Sequence, residues 1–146
     1  MAFDNRPIPN IDTAQDPIGC ADDLRQRWRA LMGPLGFSES LLWFAFIDSD
    51  HRLIPALNRL PLPEPDGLLA ELLLTRIRET ISDLPGLTVA MLLTRPGRDG
   101  LTVADQQWAQ MLTDEARARG VPMHPVHRAN DVELLTIPPA ATEVAA

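Results

Sequence analysis

Two uninterrupted apolar runs, Leu41 to Ile47 (LLWFAFI) and Leu87 to Leu93 (LTVAMLL), constrain this chain more than any other feature. Runs this short and this apolar, bounded by turn residues, read as buried strands. Both fall well below the roughly 18–20 apolar residues that cross a bilayer, so no membrane span is expected. The first run is followed by Asp48-Ser49-Asp50, which is turn chemistry, and then by a returning segment, Arg52 to Leu60. The two segments predict a hairpin. Pro55 cannot donate to a central ladder, which places the second strand at an edge or a bulge.

Helical spacing fills the intervals. Leu24, Trp28, Leu31 and Leu35 recur at helical period, and Asp22 and Asp23 suit the first turn of a helix over 21–32. Gly33-Pro34-Leu35-Gly36 stops it. Asp66 can cap a second helix running from Gly67 to about Asp83. Leu69, Leu73, Ile77, Ile81 and Leu84 form its apolar stripe, and Leu68, Leu72 and Leu74 widen it. So broad a face predicts burial against a sheet, or a sheet on one side and a partner chain on the other. A third helix begins after Thr102, with Asp105 completing a variant of the capping box, and ends at Gly120. Trp108, Met111, Leu112 and Glu115 or Ala116 set its inner face. Pro122 to Ala129 and Val132 to Ile137 read as closing strands around the turn Asn130-Asp131.

The expected order is α-β-β-α-β-α-β-β, an α/β class with a mixed sheet and helices packed on it. At 146 residues the chain fits one domain. Residues 1–18, rich in Pro, Asn and Asp, read as a flexible or loosely attached tail, 19–137 as the domain, and 138–146 as a disordered end. The N-terminus lacks a basic segment followed by an apolar one, which argues against a secretory signal. The lone Cys20 cannot form an internal disulfide and fits a reducing cytoplasm. The net charge of -7 argues against a nucleic-acid partner. All 13 basic residues are arginine, a composition that suggests a GC-rich bacterial source.

Few side chains form a chemical constellation. His124 and His127 are three apart around Pro125, so on a strand they point to opposite faces, and no Cys-x-x-Cys or His-Glu-x-x-His pattern exists. Neither a metal nor another cofactor is expected. No serine sits in a Gly-x-Ser-x-Gly elbow, and Cys20 is followed by two acids that disfavour a thiolate. The acid pairs read as solvated turns and helix faces. The loop after the second apolar run is the better candidate, because ligands of open α/β sheets bind beyond the carboxyl ends of strands. Arg95, Gly97, Arg98 and Gly100, followed by the helix start at Thr102 and Asp105, offer parts that hold a phosphate or carboxylate. Asp99 and Asp105 oppose such an anion.

From Leu41 to Ile137 the chain resembles the RadC-type branch of the JAB/MPN metalloprotease-like family. Element order carries the likeness, together with Pro96, Thr102 and Asp105 in the loop Thr94-Arg95-Pro96-Gly97-Arg98-Asp99-Gly100-Leu101-Thr102-Val103-Ala104-Asp105. The family's metal-binding histidine is replaced by Arg95, and its upstream glutamate has no counterpart beyond Asn58. One carboxylate is too few for a catalytic zinc, which takes three protein ligands, and an arginine repels the cation. The resemblance therefore implies a metal-free pseudoenzyme. The wide apolar face of helix 67–83, the aromatic residues Trp28, Trp43 and Trp108 and the lack of a catalytic set lead to the expectation of a non-catalytic module that binds another protein or itself, as a homodimer through helix 67–83. The alternative is a protein, as a binding protein or as an enzyme, that takes an anionic small molecule such as a nucleotide or phosphate through loop 94–102.

Overall fold

A computed structural model describes residues 8–138. A 3-10 helix, Ile11–Gln15, leads into α1 (Ala21–Met32), β1 (Leu41–Ile47), β2 (Asn58–Pro61), α2 (Gly67–Ser82), β3 (Thr88–Thr94), α3 (Val103–Ala118), β4 (His127–Ala129) and β5 (Leu134–Thr136). The main elements follow the expected order. The five strands form one mixed sheet in the order β2-β1-β3-β4-β5. Only β3 and β4 run parallel, joined by α3; the other neighbours are antiparallel.

The two apolar runs lie side by side. β1 pairs with β3 along its whole length, from Leu41 opposite Thr94 to Ile47 opposite Thr88. Alternation then divides their side chains between two cores. Leu42, Val89, Met91 and Leu93 face α2 and α3, meeting Leu74, Ile77, Trp108 and Leu112. Ala45, Ile47, Ala90 and Leu92 face α1, meeting Leu24 and Trp28. Helices therefore cover both faces of the sheet, which is why these strands carry no polar face.

Two boundaries differ from expectation, and proline explains each. The strand return from Arg52 is broken around Pro55: Leu53 bridges Ile47, and the regular pairing resumes only at Asn58. β2 is an edge strand, where a proline is tolerated. β4 is short because Pro122 and Pro125 flank the isolated bridge that precedes it, Met123 to Val89. Both ends of α3 are as the sequence predicts. Thr102 and Asp105 exchange capping bonds, while Gly120 at φ 67° lets Val121 N bond Ala116 O and its own N bond Arg117 O.

The segment 8–18 falls within the span expected to be a flexible tail, yet it packs on the domain. Ala14 and Ile18 are buried, Ile18 N bonds His51 O, and the Arg27 guanidinium reaches the carbonyls of Asp16 and Pro17. Apolar anchors spaced among Pro and Asp escaped a reading based on periodicity. Residues 1–7, and 139–146 at the end expected to be disordered, lie outside the described residues. Among the described residues no helix is long and apolar enough to cross a membrane.

Candidate functional site

The parallel strands β3 and β4 end together, with Thr94 opposite Ala129. Loop 95–102 leaves β3 here and enters α3, while 130–133 leaves β4 in the turn to β5. The carboxyl ends of two parallel strands thus meet the first turn of a helix, the arrangement anticipated for a ligand.

The charged groups of this corner are turned on one another. Arg95 grips Asp105 with two bonds, Nε to Oδ1 at 3.1 Å and Nη2 to Oδ2 at 2.9 Å. Arg95 Nη2 also donates to Gly100 O at 3.0 Å. Asp105 is 2% exposed, and its Oδ2 accepts Thr102 N, while Thr102 Oγ1 accepts Asp105 N. Burial pushes the Asp105 carboxyl up, but the Arg95 bonds, the Thr102 N–H and the charges of Arg95 and Arg128 outweigh it and hold it below the ordinary carboxylate range. The bond to Asp105 raises Arg95 against its own burial.

Beneath this pair lies Arg128, fully buried on β4. Its Nε is 3.5 Å from Asp105 Oδ2, and its Nη2 donates to Glu133 Oε2 at 3.2 Å. Asn130 and Asp131 then fasten the loop. Asn130 Nδ2 donates to Asp99 O at 2.6 Å, and Asn130 Oδ1 accepts Val132 N and Glu133 N. Asp131 accepts Gly97 N through one oxygen and Phe37 N through the other, bonds that lower its carboxyl. Gly97, at φ 112°, takes a conformation that a β-carbon would strain.

Arg95, Gly100, Thr102 and Asp105 therefore meet in one network. Gly97 joins it through Asp131, and Arg98 is exposed at the rim. The donors offered for an anion at Arg95 and Thr102 are engaged by Asp105 and Gly100. The sequence reading missed Arg128 and Glu133, and it saw Asn130-Asp131 only as a turn. An arginine in a segment read as a closing strand of the sheet was the available signal, since a buried arginine must find acids.

The histidines are apart from this corner. His127 is fully buried, with Nε2 at 3.2 Å from Ala21 O and 2.8 Å from Thr136 Oγ1, and Nδ1 at 3.1 Å from Pro125 O. Burial pushes its imidazole down to about 4. His124 Nε2 meets Thr88 Oγ1 at 2.8 Å, and burial lowers its ring as well. Asn58, where the JAB/MPN resemblance would place a glutamate, is exposed and directs its amide toward Phe44 O and Ala56 O. No group of three or more His, Cys, Asp or Glu placed to hold a metal occurs among the described residues. Cys20 is exposed at the start of α1 and makes no capping bond.

Comparison with protein-family models, with curated proteins and with solved structures finds no match.

Proposed function

We propose that this chain is a non-catalytic α/β protein-interaction module, resembling a JAB/MPN domain in which an ion pair stands where the metal would be bound. The bidentate Arg95–Asp105 pair is the observation that carries this reading. In the resembled motif the aspartate of the helix's first turn is a metal ligand. In this chain both oxygens of that aspartate are bound by a guanidinium, with a second guanidinium 3.5 Å away. A divalent cation would have to displace one positive charge and approach another. The same pair, with the Thr102 cap, fills the helix terminus that an anion would use. What the chain leaves open is surface, including Leu68 and Leu72 on the outer side of α2.

Zinc titration of chelator-treated protein by calorimetry tests this reading. The expected result is no saturable heat and no metal in protein grown with added zinc. Stoichiometric zinc lost on Asp105→Ala would overturn it.

A further inference from the structure

α2 carries apolar side chains on two opposite faces. Ala70, Leu74, Ile77 and Ile81 are buried, while Leu68 and Leu72 are 63% and 55% exposed. At 3.6 residues per turn, Leu68 and Leu72 stand one above the other on the side away from Ile77. Charges of opposite sign flank Leu72. Arg76 is exposed, and its guanidinium has no hydrogen bond or ion pair among the described residues. Among the described residues the Glu71 carboxylate has a 3.8 Å approach from Arg119, whose short bonds go to Glu115 and to Thr75 Oγ1.

The spacing of these residues selects a partner. In a parallel helix pair, seam residues alternate at three and four, and a charge beside the seam meets the residue five positions later on the other helix. Leu68, Leu72 and Thr75 have the seam spacing, and Glu71 and Arg76 are the flanking pair five apart. We infer that α2 docks in parallel against α2 of a second copy of this chain, with Leu68 and Leu72 in the seam and Glu71 of each copy facing Arg76 of the other. The inference rests on the interaction-module reading and names its partner. An antiparallel pair with Leu68 of each copy against Leu72 of the other would set Glu71 against Glu71, which like charges disfavour.

The same register limits the contact. Glu79, the next seam position, would face itself, so the seam ends after Thr75. Two leucines per copy provide far less than the about 800 Å² per partner of a standard stable interface. The dimer is therefore weak, and exposed ion pairs make it sensitive to salt.

Sedimentation equilibrium of the full chain, from micromolar to millimolar and at low and high salt, tests the pairing. The wild type is expected to dimerise at the upper concentrations, less so in high salt. Leu72→Glu, at an exposed site where circular dichroism should confirm an unchanged fold, is expected to weaken dimerisation by about tenfold or more. Glu71→Arg and Arg76→Glu should each weaken it, and the doubly exchanged chain should recover it. A monomer at every concentration would overturn the pairing and leave α2 to a different protein. So would a dimer indifferent to Leu72→Glu, or a doubly exchanged chain that stays monomeric. A zinc-free monomer sinks this pairing alone, whereas saturable zinc binding sinks the metal-free reading alone.

Discussion

Asp105 has three partners, and removing it should harm the protein more than removing any one of them. Asp105→Ala deletes the Arg95 pair and half of the helix cap, and it leaves Arg128 buried beside one half-exposed glutamate. The expected loss is about 3–5 kcal/mol in urea unfolding. Arg95→Ala should cost less, about 1–3 kcal/mol, because Thr102 N and Arg128 still serve the carboxylate. Equal losses would mean that Arg128 does not depend on Asp105. His127 is expected to set an acid limit. Its folded value, near 4, lies below the unfolded value of about 6.5, so the unfolded chain takes up the proton first as the pH drops. Stability is then full above about pH 6.5 and declines as the pH falls toward 4, by on the order of 3 kcal/mol. His127→Gln should flatten that slope; an unchanged slope would show that other groups set it. The Asp105 carboxylate, also depressed, adds loss at still lower pH. The sequence contained Thr102 and Asp105 as a local cap because the two are neighbours in the chain. It did not show that Arg128, 23 positions on, completes the network, because that contact exists only once β4 lies beside β3.

At the level of elements, α2 shows how far periodicity reaches. The leucines at 68, 69, 72, 73 and 74 predicted a wide apolar face, and the structure splits it. Leu74 is fully buried, Leu69 and Leu73 are partly buried against the core, and Leu68 and Leu72 face outward. Leu74→Ala should cost about 2–5 kcal/mol through the cavity it leaves. Leu72→Ala should stay within about 0.5 kcal/mol in the monomer, by thermal or urea unfolding at low concentration. A large loss at Leu72 would place it in the core instead. The extents of α1 and α3 were legible because their stop signals are local: Gly33 ends one and Gly120 the other. The short strands were not, since Pro55 and Pro125 cut them at points that depend on which neighbour each strand pairs with.

For the molecule as a whole, the N-terminal boundary is the clearest revision. A chain beginning at Gly19 would lack Ile18, Ala14 and the carbonyls that hold Arg27. It is expected to lose about 2 kcal/mol or more of stability, measured by urea unfolding against the full chain. A chain of unchanged stability would restore the tail to an accessory role. The class of fold and the order of its main elements follow from signals carried within short stretches: alternation-free apolar runs, helical periods, caps and turns, all of which act between residues a few positions apart. The two cores, the strand order β2-β1-β3-β4-β5 and the Arg95–Asp105–Arg128 corner come from the folded molecule. Each depends on groups far apart in the chain finding one another, and a buried charge is stabilised only by the partner that the fold sets beside it.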